Sequence, residues 1–299
     1  MSPRLILLIA ILGISVSGPL VRLSDASPLA IAVGRLAFSL PIIGVLLIAT
    51  GGWRQWRRLS ARPFMLACAA GVFLAIHFWS WNASIGLTTV AASVVLVNTQ
   101  PLIVAALSAV WLREPPSRRQ WAGIGIAMVG ALLVVWPDLS ASGLASGRAR
   151  NPLLGDLLAL VGAATAAAYY VCGRRLRATL DLWPYVALVY GACFVVLVVL
   201  ALATSTPLLP QPPRELAIFL GLALGPMLLG HTGLNWALRY FPAYAVNLTV
   251  LGEPVFATIL AALLPGIREV PGVATLAGGA VILAGIYLTT ASSARNPAS

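Results

Sequence analysis

Two histidines and eight acidic residues are all the acid–base chemistry that the 299 residues offer. The densest polar and aromatic group is His77-Phe78-Trp79-Ser80-Trp81-Asn82, and His231, Asn235 and Trp236 form a similar run further on. On a helix His77 and Trp81 share a face four residues apart, and Phe78 lies one turn from Trp81 and Asn82. Aromatic walls with a few polar groups suit an apolar or aromatic small molecule. Trp in the outer part of an apolar helix also serves as an interfacial anchor, so both readings stand for Trp79 and Trp81. Asn98, Asn247, Tyr169, Tyr170 and Tyr190 are further side chains in apolar segments that would complete a pocket.

Arg35 and Glu253 also lie within apolar stretches, where a central charge costs about 2.5–3.5 kcal/mol on insertion scales. Arg35 reads either as a counter-charge for a carboxylate or phosphate on a cargo, or as an interior arginine bonded to backbone carbonyls. Glu253 precedes Pro254, whose missing N–H frees carbonyls and bends a helix. It is a candidate for taking up and releasing a proton, although its counterpart in the first half is neutral Gln100. Glu114 and Glu269 sit beside Arg113 and Arg268 at the ends of apolar segments, where helix termination and pairing are expected. Asp156 falls near a helix start, where a carboxylate is favourable.

Other chemistries lack their residues. There is no H-E-x-x-H, no G-x-S-x-G and no phosphate-cradling G-x-x-x-x-G-K-[ST] loop, so neither an intramembrane hydrolase nor an ATP-driven pump is supported. Cys68, Cys172 and Cys193 fall in apolar segments without C-x-x-C spacing and read as small core residues. No metal or cofactor is expected.

The elements that must position these residues are apolar helices. The chain is 60% hydrophobic and 9% charged, with a mean hydropathy of +0.95, whereas a soluble protein carries about a quarter charged residues. Apolar stretches of about 20 residues, enough to span a ~30 Å hydrocarbon core, recur at about 4–23, 29–50, 63–85, 88–112, 119–137, 153–172, 183–204, 214–238, 243–264 and 271–291. The predicted class is therefore an all-α integral membrane protein of ten helices. The first stretch follows Arg4 like a signal sequence but has no A-x-A-like site, and is taken as a retained helix.

All nineteen basic residues are arginines and the net charge is +11. They fall in short connections, the distribution of topology signals and not of a nucleic-acid face. With the N-terminus inside, thirteen arginines (among them Arg54, Arg57, Arg58, Arg174, Arg175 and Arg177) lie inside and five (Arg22, Arg148, Arg150, Arg214, Arg268) outside. That bias predicts both termini in the cytoplasm of a cell whose inner membrane holds the chain. Trp53, Trp56, Trp121 and Trp183 fit interfacial anchors.

The two halves can be overlaid. Gly71 and His77 match Gly225 and His231 at an offset of 154, Gln100-Pro101 matches Glu253-Pro254 at 153, and Arg113-Glu114, Gly123 and Gly130 match Arg268-Glu269, Gly278 and Gly285 at 155. Each half holds five stretches, so the second must be inverted relative to the first, as in carriers whose halves rock about a site near the midplane. The expected organisation is a first repeat over 1–137, an external linker over 138–151, an inverted repeat over 152–291 and a cytoplasmic tail over 292–299.

The segment 91–114, with Asn98-Thr99-Gln100-Pro101 and the closing Arg113-Glu114, then Gln120-Trp121 with Gly123 and Gly130, resembles the signature of the drug/metabolite transporter superfamily, EamA type. It returns as Glu253-Pro254 through Arg268-Glu269 with Gly278 and Gly285, and Pro28 with Arg35 also fits. Pro265 departs from the pattern. The resemblance implies two inverted five-helix units and secondary transport of amino acids, related metabolites or xenobiotics, often by export. With the aromatic cluster, it makes an aromatic or hydrophobic amino acid the expected cargo. Related carriers take nucleotide-sugars and sugar phosphates, which call for more internal cations than Arg35 alone. The candidate binding residues are His77, Trp79, Trp81, Asn82, Asn98, Tyr169, Tyr190, His231 and Trp236, with Arg35 and Glu253 as charge or coupling candidates. Oligomeric state is left open.

Overall fold

A computed structural model of the protein describes residues 2–88, 90–142, 151–253, 255–256 and 273–293. Among these, all regular structure is helical. α1 (Pro3–Ser15) and α2 (Ser17–Leu23) meet at Val16; α3 is Pro28–Ala49 and α4 is Ala61–Leu87, joined through a 3-10 turn, Gly52–Arg58. α5 (Val90–Val97) and α6 (Gln100–Leu107) follow, the latter widening into a π turn, Ser108–Leu112. α7 is Arg118–Ser142, α8 Pro152–Arg177 and α9 Leu182–Ala203. α10 (Pro213–Leu222) runs through a π segment, Ala223–His231, into α11 (Thr232–Ala237). α12 (Ala243–Leu248) passes into a 3-10 turn, Thr249–Gly252, and α13 is Val273–Ser293.

Seven helical stretches among the described residues are long and apolar enough to cross a membrane: Pro3–Val21, Pro28–Ala49, Ala61–Ile85, Val95–Leu112, Pro152–Arg177, Leu182–Ala203 and Pro213–Ala237. The chain is thus a multi-pass membrane protein. α7 and α13 cover the fifth and tenth expected stretches, and the ninth runs beyond the described residues after Phe256. Glu269, Arg268 and Pro265 also lie outside them.

Helix starts follow a simple local rule. Ser2-Pro3, Ser27-Pro28 and Asn151-Pro152 each place a capping side chain before a proline. The cap oxygen accepts from the backbone N–H three residues on, at 3.3, 3.2 and 3.3 Å. The proline needs no partner in the first turn and has its φ preset. Proline also explains three interruptions. Pro19 leaves Ser15 without its i+4 donor at the α1–α2 break, Pro101 does the same to Val97 before α6, and Pro226 lies in the π segment. The stretch expected as one helix over 88–112 is therefore broken at Asn98-Thr99. α7 continues to Ser142, into the segment expected as a linker over 138–151.

The most extensive helix pair is α7 with α13, and glycine makes it possible. A Cβ at Gly130 would stand 2.6 Å from the Ile282 nitrogen and one at Gly123 2.8 Å from the Gly285 oxygen; reciprocally, one at Gly285 would be 2.5 Å from the Gly123 oxygen. Small residues let backbones approach where lipid offers no hydrophobic drive. Gly130→Ala must part the helices, a cost of about 1–3 kcal/mol for overpacking. We expect a lower melting temperature in detergent for Gly130→Ala and none for Gly125→Ala, whose added carbon meets nothing within 4 Å.

Polar contacts tie the helix ends. At the basic end Arg174 grips Glu114 through Nε (3.1 Å) and Nη2 (2.9 Å) and donates through Nη1 to the Leu238 carbonyl at 2.7 Å. Glu114 thus pairs across the bundle and not with the adjacent Arg113, which takes a left-handed conformation (φ 58°). Arg177 donates to the carbonyls of Asn235 (3.1 Å) and Leu180. Arg239 bonds Asp181 at 2.8 Å. At the opposite end Glu215, 4% exposed, accepts from the Ser24 hydroxyl and the Asp25 N–H. Arg214 bonds Asp25, and Thr88 donates to Asp156 at 2.8 Å. α8 carries Asp156 at one end and Arg174 at the other, so it takes part in the polar ties at both.

Asp181 lies in the connection between α8 and α9. The Arg239 guanidinium and the Gln55 amide hold its carboxyl below the usual carboxylate range. A lowered value means the contact is fully formed above the ordinary range, about 3.9, and is lost only as pH falls through the lowered one. Between about pH 5 and 8, well above that range, the contact does not titrate. Transport measured across that window should keep the same pH profile in Asp181→Asn as in the unaltered protein.

Candidate functional site

Between the two tied ends lies a cavity to which most of the chain's segments contribute. α3 supplies Arg35; α4 supplies His77, Phe78 and Trp81; the α5–α6 break supplies Asn98 and Gln100. α8 supplies Tyr169 and Tyr170, the π segment ends in His231, and Glu253 follows the 3-10 turn Thr249–Gly252. Ile14, Ser17, Val97, Ala166 and Val250 complete the wall. Its volume of about 50 Å³ holds a few water molecules, too little for an amino-acid side chain. The helices must part for cargo of that size to enter.

The rings form a connected stack. Phe78 meets His231 edge-on at 5.3 Å and His77 at 5.5 Å, Tyr169 lies 5.0 Å from Tyr170, and the Arg35 guanidinium sits 4.3 Å above the Phe78 ring. Nδ1 of His77 faces the Gly162 carbonyl at 2.9 Å. A carbonyl only accepts, so this nitrogen carries the proton and Nε2 of the neutral ring is the acceptor. Asn235 holds Tyr169 from behind: its amide donates to the Tyr169 and Tyr190 hydroxyls and to the His231 carbonyl. Tyr190 in turn meets Thr232 at 3.2 Å.

The wall is under-satisfied in one place. Nε, Nη1 and Nη2 of Arg35, Nε1 of Trp81, Oε1 of Gln100 and Nδ1 of His231 are buried with no hydrogen-bond partner in the protein. All four residues line the same cavity. A buried polar group left unpaired costs about 1–3 kcal/mol. Six further such atoms, on Asn82, Ser108, Tyr185, Asn235 and Asn247, lie away from this lining; what distinguishes the cavity is that its unpaired set includes the whole Arg35 guanidinium. Arg35 is 0% exposed and Arg177 2%; Arg177 is served by backbone carbonyls, and Arg35 is not.

Seven of the eleven candidates converge on this cavity: His77, Trp81, Asn98, Tyr169, His231, Arg35 and Glu253. Four do not. Trp79, two residues from His77, points to another side of α4 and packs against the core. The Asn82 amide donates to the Pro28 carbonyl at 3.2 Å, tying α4 to the start of α3. Tyr190 is fully buried behind Tyr169. Trp236 stacks on Tyr240 at 4.3 Å and lines a separate cavity at the basic end with Arg177 and Asp181. In the sequence Gln100 stands out only as the neutral counterpart of Glu253, and Ser17 gives no signal beyond a hydroxyl in an apolar run. Among the described residues no group of three His, Cys, Asp or Glu side chains could hold a metal ion.

Comparison with known proteins bears on this arrangement. The model of the EamA-like transporter family matches residues 2–136 and 153–291. An "uncharacterized transporter" of Archaeoglobus fulgidus is 25% identical over 281 residues, covering 91% of this chain and 90% of that protein. The "uncharacterized transporter YdfC" of Bacillus subtilis is 27% identical over 221 residues, covering 73% of this chain and 68% of that protein. A solved structure titled only as a crystal structure of a protein superposes with a TM-score of 0.77 over 99% of both chains at 18% identity, and so shares the fold.

Proposed function

The chain belongs to the EamA-like transporter family, and from that premise we propose that it is a secondary carrier that exports amino acids with aromatic or other hydrophobic side chains across the inner membrane by alternating access. The observation that carries this reading is Arg35, a fully buried guanidinium without a hydrogen-bond partner in a cavity walled by aromatic rings. A cation so placed suits the carboxylate of a cargo, and the rings of Phe78, Trp81, Tyr169 and Tyr170 suit an apolar side chain. A sugar phosphate would call for more cations than the wall contains.

The architecture that serves this reading is ten spans in two inverted halves, 1–137 and 152–291, with both termini in the cytoplasm. Three features support it: the arginine bias, the family model matching two segments, and pairings that recur between the halves. α4 packs on α8 as the Ala223–His231 segment packs on α1, while α3 meets α9 and α7 meets α13. The polar ties at each end must then break in turn.

Counterflow in proteoliposomes across an amino-acid panel tests the function. Saturable exchange of aromatic amino acids, competed by one another, is expected; an absence of exchange for every amino acid would reject the reading. Glu253 is the candidate coupling group, and flux unchanged after collapse of the proton gradient would remove proton coupling from it.

A further inference from the structure

Arg35 and Glu253 line one cavity, and their ionised forms carry opposite charges. In a poorly polarisable interior such charges attract strongly, and a direct bridge would relieve the cost of burying each. Elsewhere the molecule takes that course, as in the grip of Arg174 on Glu114 at 2.9 Å. Among the described residues neither Arg35 nor Glu253 enters an ion pair, and no nitrogen of Arg35 is hydrogen-bonded. The guanidinium rests on Phe78 instead, and Glu253 follows the turn Thr249–Gly252 on another element.

Resting on the carrier reading above, we propose that Arg35 and Glu253 together form a receptor for a zwitterion, the guanidinium taking the carboxylate of an α-amino acid and the Glu253 carboxylate its ammonium. Only a ligand bearing both charges satisfies both groups. A monoanion leaves Glu253 unpaired beside a second negative charge, and a monocation does the same to Arg35. The filled site is then neutral overall, which suits passage through a low-dielectric core. Glu253 thus sets specificity for the amino group, a role separate from proton exchange.

The test is counterflow of labelled L-phenylalanine in proteoliposomes of the full chain, competed by unlabelled L-phenylalanine, 3-phenylpropionate, which lacks the ammonium, and phenethylamine, which lacks the carboxylate. Each lost charge-assisted bond should weaken competition about tenfold or more. In Glu253→Gln, 3-phenylpropionate should approach L-phenylalanine to within a few-fold. The unaltered protein alone decides if this variant fails to fold. If 3-phenylpropionate competes there as well as L-phenylalanine, the zwitterion receptor is wrong while the carrier stands. The receptor is equally wrong if Glu253→Gln changes proton dependence but leaves the ratio of the two competitors as it was. Absence of exchange for the whole amino-acid panel rejects the carrier reading instead.

Discussion

Replacing Arg35 by glutamine is expected to lower the proposed amino-acid flux about 100-fold or more while leaving the protein folded. Truncating one partner of a desolvated, hydrogen-bonded charge pair costs about 2–5 kcal/mol, and every 1.4 kcal/mol is about tenfold in affinity. The fold has little to lose, because no nitrogen of this side chain bonds any protein atom. Its guanidinium sits over the Phe78 ring, a contact worth about 0.5–2 kcal/mol. Against that loss stands relief from burying an uncompensated cation, so the melting temperature should change little. Counterflow per folded molecule together with a melting curve measures both. A variant that transports normally, or one that fails to fold, would contradict the assignment.

Arg177→Leu should do the reverse. This guanidinium serves the carbonyls of Asn235 and Leu180, and leucine would strand both. Each orphaned buried acceptor costs about 1–3 kcal/mol, so a clear fall in melting temperature and yield is expected. Cargo affinity of the molecules that remain folded should be largely retained, since Arg177 does not line the central cavity. If Arg177→Leu melts with the unaltered protein, the structural role given to it is wrong.

These two arginines also measure how far the sequence can be read. Both are buried to within 2%, yet one sits inside an apolar stretch and the other in a basic run that composition assigns to the bundle's edge. The apolar lengths and the Gly71–His77 and Gly225–His231 correspondence were legible, because they depend on neighbours in the chain or on direct comparison of its two halves. The interruption at Asn98-Thr99 was half legible: Pro101 announced it, but a long apolar run hid it. The partners of a polar side chain were not legible at all. Trp79 and Trp81 differ by two residues, and only the rotation of α4 against α8 decides which meets the cavity. Asn82 looked like a pocket residue and proved to be a tie to Pro28. Tyr190 is drawn behind Tyr169 by Asn235, a hydrogen bond spanning helices far apart in sequence.

The close seam between α7 and α13 bears on biogenesis. α13 is the last of the described helices to be synthesised, so the glycine face of α7 enters the membrane long before the partner that fits it exists. During that interval Gly123 and Gly130 present a flat strip to lipid, or to any small-residue helix nearby. A nascent chain stalled ahead of residue 273 would carry the cavity-lining residues through Glu253 yet keep this strip uncovered.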